Sequence, residues 1–165
     1  MFADKKFSND IKMSGVNSIN WARIIAQSVY YFYSYLLVEN TGEPTNFSVP
    51  TGNFGDVYAG YLAKKMGLPI NKLIVATNQN DILHRAISKG SYDAEKVSET
   101  ISPSMDIQIA SNFERLIFDL NNEDDKQTRL DMKNIKENGK YLIGDDKLNI
   151  IRENFLSASL NENET

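Results

Sequence analysis

A parallel β-sheet with flanking helices is predicted by two strand-like runs and by the loop and helical pattern that lie between them. The first run, Asn46 to Val49, contains strand-forming residues and ends at Pro50. The second, Lys72 to Thr77, has the continuous apolar character of a strand that is covered on both faces. The connection between two such strands is expected to be right-handed. We therefore predict an α/β fold with a partial parallel sheet, cut from a larger doubly wound domain.

Four helical patterns accompany these strands. The first begins at a cap, Asn17 or Ser18, and extends to about Val38; its apolar residues exceed one face, so we expect it to pack on more than one side. The later patterns are Asp56 to Met66, Asp81 to Ser88 and a helix within Asp106 to Leu120.

Composition divides the 165-residue chain into four parts. Residues 1–120 form the predicted α/β part, 121–127 an acidic linker, 128–156 a helical segment, and 157–165 a tail whose composition predicts disorder. The formal net charge is −4, and the acidic excess follows Phe118. Because the basic residues form no block, we expect no nucleic-acid partner.

Residue usage excludes several kinds of chemistry. Without cysteine there are no disulfides, thiolate nucleophiles or sulfur-ligated metals. His84 is the only histidine, so a histidine-rich metal site and most Ser-His-Asp schemes are not expected, and His84 itself is interpreted as structural. The sequence contains neither a run of about 20 apolar residues nor an apolar leader, which predicts a cytoplasmic protein without a membrane partner. Any chemistry is expected to come from a bound cofactor.

The most informative stretch is residues 48–56, Ser-Val-Pro-Thr-Gly-Asn-Phe-Gly-Asp. Gly52 and Gly55 allow the backbone to approach an oxyanion closely, and the helix that follows presents its positive end. The stretch is not a Walker loop, because no Lys-Ser/Thr pair follows Gly55, and it lacks the G-x-G-x-x-G spacing of dinucleotide sites. Taken alone, the pattern fits a phosphate cradle and a structural strand-to-helix turn equally well.

Six motifs in order give this loop a context. They are Asn17 to Ile24, Val49 to Asp56, Ala59 to Pro69, Ala76 to Asp81, Ser102 to Ile107 and Ser111 to Leu116. Together they resemble successive motifs of the threonine synthase family over about 100 residues, whereas the flanking sequence resembles it weakly.

The resemblance implies a fold-type II domain, similar to the tryptophan synthase β subunit, that binds pyridoxal 5′-phosphate. Members of the family are carbon–oxygen lyases of threonine biosynthesis that convert O-phospho-L-homoserine and water to L-threonine and phosphate. The resemblance also assigns the cofactor phosphate to the backbone of Gly52, Asn53, Phe54 and Gly55, together with Asp56.

The family's Schiff-base lysine stands in a Phe-Lys-Asp context, and no lysine of this chain has those neighbours. Lys64 and Lys65 are interpreted as part of a solvated helix face. We therefore assign no catalytic and no metal-binding residue, and we expect an internal fragment that is inactive by itself. Exposed sheet edges lead us to expect self-association of such a fragment.

A polar group near the start of the first helix is a candidate for the substrate side of the cleft: Asn17, Ser18, Asn20 and Arg23. The alternative is that neighbouring backbone satisfies these side chains. Two other functions stay open from the sequence, namely a related phospho-lyase acting on another phosphorylated amino acid, and a stand-alone phosphate-binding module.

Overall fold

The computed structural model describes residues 4–12, 17–38 and 42–161. The helices are α1 (Lys5–Asp10), α2 (Trp21–Leu37), α3 (Gly55–Lys65), α4 (Ile82–Lys89), α5 (Phe113–Leu120), α6 (Asp125–Asn138) and α7 (Asp145–Asn154). The strands are β1 (Thr45–Pro50), β2 (Ile70–Thr77), β3 (Ser91–Asp93), β4 (Lys140–Leu142) and β5 (Phe155–Ser159). Over these ranges no helix combines the length and apolar character needed to cross a membrane.

A three-stranded parallel sheet in the order β1-β2-β5 forms the centre of the fold. The central strand β2 is the most apolar, and its Leu73 and Val75 are fully buried. Val49 of β1 stands opposite Val75, and Phe155 of β5 stands opposite Leu73. The predicted α/β fold with a partial parallel sheet is therefore confirmed, and a separate antiparallel pair, β3 with β4, is added to it.

The C-terminal part differs from the sequence-based prediction. The predicted tail 157–165 is wrong for Ser157–Ser159, which belong to β5 and pair with Val75–Thr77; residues 162–165 lie outside the described residues. The helix expected to reach Leu156 ends at Asn154. A strand as short as Phe-Leu-Ser-Ala-Ser has little local preference, so its conformation depends on pairing with β2.

The predicted acidic linker 121–127 is exposed except at its first residue, and its last three residues begin α6. Asn121 is buried, and its amide donates hydrogen bonds to Thr128 at 3.0 Å and to Asp131 at 2.9 Å. Asp124 caps α6 by accepting hydrogen bonds from the N–H groups of Lys126 and Gln127. Local composition identified solvated charges here but could not identify the buried amide among them.

Helix α2 packs one face onto α3. Its buried face includes Ile24 and Tyr31, and the Tyr31 hydroxyl donates to the Asp56 carbonyl at 2.8 Å. Contact is so close that a Cβ on Gly60 of α3 would lie 2.6 Å from the Tyr31 ring. The other face is exposed within the described ranges: Val29, Tyr30, Tyr33, Leu36 and Leu37. The predicted packing of α2 on more than one side thus stays a prediction.

Candidate functional site

The glycine-containing loop connects the carboxyl end of β1 to the amino end of α3, the edge at which ligands of parallel sheets usually bind. Thr51, the first residue of the loop, is buried, and its N–H donates to the Ala76 carbonyl of β2 at 3.0 Å. The Thr51 hydroxyl donates to the Asp56 carboxylate, which also accepts the Val57 N–H at 2.9 Å. The Thr51–Asp56 hydrogen bond therefore connects the two ends of the loop.

Phe54 has a left-handed backbone at φ 65° and ψ 4°. Such a conformation is rare for a bulky residue and is found where surrounding structure enforces it, often at functional sites. The enforcing contacts are visible, since the Phe54 ring is fully buried and lies 5.4 Å from Phe113 and 5.9 Å from Phe155, centroid to centroid. The core thus holds the loop in a strained shape.

That shape leaves five consecutive backbone donors free. Within the described ranges, the N–H groups of residues 52–56 have no hydrogen-bond acceptor. The Asn53 carbonyl, in contrast, accepts two hydrogen bonds from Asn112, from its N–H at 3.1 Å and from its side-chain amide at 3.2 Å. Donors at the positive end of α3 favour an anion such as a phosphate group.

A cleft of about 250 Å³ lies beside these donors. Its lining consists of Ser18, Arg23, Gln27, Pro50, Thr51, Gly52, Asn53, Gly55, Asp56, Ser104 and Met105. Four of the five residues predicted to bind the cofactor line it, and Phe54 stands behind them in the core.

The predicted cleft group divides into two pairs. Ser18 and Arg23 line the cleft, and the Arg23 guanidinium has no ion pair or hydrogen bond with any described residue. Asn17 accepts the Ile19 N–H at 3.0 Å, and Asn20 caps α2 by accepting the Ala22 N–H at 2.9 Å. The helix cap is therefore Asn20, not Asn17 or Ser18 as expected. The binding roles of all four stay predictions.

Sequence reasoning did not assign Ser104, Met105 and Gln27 to the site. Gln27 follows Arg23 by one helical turn and so lies on the same helix face, which was the indication available for it. Ser104 and Met105 belong to a short 3₁₀ turn, Pro103–Met105, within the motif Ser102 to Ile107. Their approach to the loop depends on contacts between distant segments, which local pattern does not reveal.

Lysine and histidine side chains are directed elsewhere. Lys64 donates to the Asn71 carbonyl at 2.9 Å, and Lys65 pairs with Asp119 at 3.2 Å. Burial, followed by the nearby charge of Lys72, lowers the pKa of Lys64. His84 lies 3.0 Å from the Ser157 hydroxyl, as suits a structural histidine. No lysine lines the cleft in the part of the chain that the structure describes.

The chain is similar to threonine synthases throughout. It is 48% identical over 164 residues to the threonine synthase of Pseudomonas aeruginosa, covering 99% of this chain and 35% of the relative. The Saccharomyces cerevisiae threonine synthase is 45% identical over 177 residues, with coverages of 100% and 34%. No protein-family model matches the chain.

Solved structures give the same result. The crystal structure of a threonine synthase from Brucella melitensis with bound pyridoxal 5′-phosphate has a TM-score of 0.93 and 49% identity to this chain. The match covers 99% of this chain and 35% of the Brucella chain. The yeast threonine synthase structure has a TM-score of 0.87 and 43% identity, with coverages of 99% and 34%. The chain is therefore homologous to one segment of threonine synthases and spans about a third of their length, which confirms the resemblance predicted from six motifs.

Proposed function

We propose that this chain provides the phosphate-binding part of a threonine synthase, an enzyme that converts O-phospho-L-homoserine and water to L-threonine and phosphate. One observation carries the proposal: five N–H groups at the start of α3, with no acceptor among the described residues, border a cleft in a chain 48% identical to a threonine synthase. Pyridoxal 5′-phosphate is the proposed cofactor, and when bound it supplies an electron sink for carbanion chemistry.

The residues present fit the phosphate group of that cofactor. Gly52, Asn53, Phe54 and Gly55, with Asp56, offer their N–H groups, and the dipole of α3 adds a favourable potential. The fit also depends on the absence of a side chain at position 52, where a Cβ would lie 2.6 Å from the Ser104 carbonyl oxygen. We propose that the backbone here fixes the phosphate end of the cofactor.

Arg23 supplies the positive side chain of the cleft. Its guanidinium is unpaired within the described ranges and suits a carboxylate or phosphate of a bound substrate, because it can donate two parallel hydrogen bonds. Ser18 and Gln27 add polar groups on the same wall. Among the described residues the lining contains neither lysine nor histidine, and we propose that this segment binds and orients and that it transfers no proton by itself.

A titration of the purified chain with three ligands tests the proposal. We expect pyridoxal 5′-phosphate and inorganic phosphate to raise the thermal midpoint, and pyridoxal, which lacks the phosphate, to leave it unchanged. Borohydride reduction followed by peptide mapping should find no single modified lysine. Equal stabilisation by pyridoxal, or one specifically reduced lysine, would show the proposal to be wrong. A nucleotide that stabilises the chain more than pyridoxal 5′-phosphate would favour a stand-alone binding module.

The contribution of the Arg23 side chain to substrate binding is measured with Arg23→Ala, and Arg129→Ala is the control. Arg129 is solvent-exposed, lies outside the cleft lining and pairs with Asp125 one turn away at 3.5 Å, so its loss should not affect the cleft. In the complete enzyme, Arg23→Ala is expected to raise the KM for O-phospho-L-homoserine about tenfold or more, as the loss of a charge-assisted hydrogen bond implies.

A cytoplasmic location belongs to the same proposal, and self-association stays a prediction.

A further inference from the structure

We infer that Asp106 is a positioning residue for the phosphate-binding loop, acting through the backbone of Ser104 and Met105. The inference rests on the proposed function for its ligand, but its geometry stands on its own. Asp106 lies outside the cleft lining, directly after the 3₁₀ turn that faces Gly52.

The Asp106 carboxylate accepts four hydrogen bonds. Its Oδ2 accepts the Thr100 N–H at 2.8 Å, and its Oδ1 accepts the Thr100 hydroxyl at 2.7 Å. Two side-chain amides complete the set, from Asn78 at 2.7 Å and from Asn80 at 3.0 Å, both to Oδ1. Four donors on one side chain require two oxygen acceptors, which an ionised carboxylate provides and an amide does not.

These bonds connect the turn to the sheet. Asn78 and Asn80 follow the last residue of β2, Thr77. Buried Asn80 also exchanges two hydrogen bonds with Ser98, since its Oδ1 accepts the Ser98 N–H and its amide donates to the Ser98 carbonyl, each at 2.8 Å. Segment 98–106 is thereby held at both ends beside the carboxyl end of the central strand, at Ser98 by Asn80 and at Asp106 by Asn78 and Asn80.

The fastened segment forms one wall of the cleft. An ideal Cβ at Gly52 would lie 2.6 Å from the Ser104 carbonyl oxygen and 3.1 Å from the Met105 Cα, so the two backbones are nearly in contact. Any displacement of the turn therefore changes the space over Gly52. Asp106 sets that distance without touching the ligand.

Asp106→Asn tests the role, with Asp131→Asn as the matched control. Asp131 likewise accepts several hydrogen bonds, from Asn121, Gln127 and Tyr141, and it lies outside the cleft lining. Amide hydrogen exchange of the ligand-free protein is measured residue by residue for 98–106 and for two bonded amides that hold the loop, the Thr51 N–H on the Ala76 carbonyl and the Asn112 N–H on the Asn53 carbonyl. Affinity is measured for pyridoxal 5′-phosphate and for inorganic phosphate.

We expect Asp106→Asn to accelerate exchange in 98–106 and at the Thr51 and Asn112 amides, and to weaken phosphate-dependent binding about tenfold. Asp131→Asn should leave the exchange of these two amides and the affinity unchanged. Faster exchange confined to 98–106, with unchanged affinity, would overturn the positioning role. If Asp106→Asn does not fold, Thr100→Val keeps the carboxylate and removes the Thr100 hydroxyl, which donates to Asp106 and accepts from Asn78 and Ser102. It should give the same pattern. The exchange measurement remains decisive even if the wild-type chain binds no pyridoxal 5′-phosphate, so the two proposals fail separately.

Discussion

Replacement of Gly52 by alanine should open the cleft by forcing two backbone segments apart. The added Cβ would lie 2.6 Å from the Ser104 carbonyl oxygen and 3.1 Å from the Met105 Cα, well inside the 3.4 Å at which ordinary van der Waals contact begins. Both partners are backbone atoms, so no rotamer change can relieve the contact. The turn is also tied to β2 through Asp106, which resists its withdrawal.

Overpacking of this kind usually destabilises a protein by about 1–3 kcal/mol. We expect the free energy of unfolding, measured in urea, to fall within that range. A loss of about 1.4 kcal/mol in binding free energy weakens binding tenfold. We expect about that much of the strain to distort the loop, which would weaken pyridoxal 5′-phosphate binding about tenfold. Binding is followed by the absorbance of the cofactor during titration.

Gly144→Ala is the matched control. Gly144 has φ −64°, and a Cβ there would meet no atom within 4 Å, so alanine fits without strain. The stability of the Gly144→Ala variant should remain within about 1 kcal/mol of the wild type. Alanine lowers the entropy of the unfolded chain, which stabilises, but it is a weaker helix cap than glycine, which destabilises. If Gly52→Ala matches Gly144→Ala in both stability and affinity, the close contact between Gly52 and the turn is not real.

Three further predictions address the core and the pH dependence. Gly60→Ala should destabilise the chain by about 1–3 kcal/mol in urea unfolding, because its Cβ would lie 2.6 Å from the Tyr31 ring and 2.8 Å from Leu73; unchanged stability would contradict the packing of α2 on α3. Phe54→Ala removes a fully buried ring and should destabilise by about 3–5 kcal/mol, with loss of phosphate binding; retention of either property would show that the ring does not hold the loop. Hydrogen bonds hold the pKa of Asp106 below its ordinary 3.8, first the one from the Thr100 hydroxyl and then those from the Thr100 N–H, Asn78 and Asn80. The stabilisation that Asp106 contributes is therefore complete above pH 3.8 and is lost as the pH falls through the lower pKa of the folded state. Stability measured from neutral pH down to about pH 2 should consequently fall more steeply for the wild type than for Asp106→Asn, and parallel curves would refute this.

The phosphate loop could be predicted from sequence because its determinants are local. Glycines at positions 52 and 55 and a helix beginning at Gly55 lie within a few residues of one another, and β1 and β2 were recognised by composition. The opposite holds for β5, whose conformation comes from pairing with Val75–Thr77 far away in the chain. The same reason explains the missed role of Ser104 and Met105.

At the start of α2, three polar residues compete for one role. Asn17, Ser18 and Asn20 are all good cap residues, and the sequence favoured the first two, whereas the structure selects Asn20. Asn17 instead closes a turn with the Ile19 N–H, and Ser18 faces the cleft. Local propensity therefore found the group, and tertiary geometry distributed the roles within it.

The left-handed backbone of Phe54 has a consequence for protein engineering. Its ring rests against Phe113 of α5 and Phe155 of β5, so the anion-binding shape of the loop depends on segments that follow it by 59 and 101 residues. A peptide containing only β1, the loop and α3 would keep the glycines but would relax into an unstrained conformation. Transfer of this site to another scaffold therefore requires the two distant rings as well as the motif.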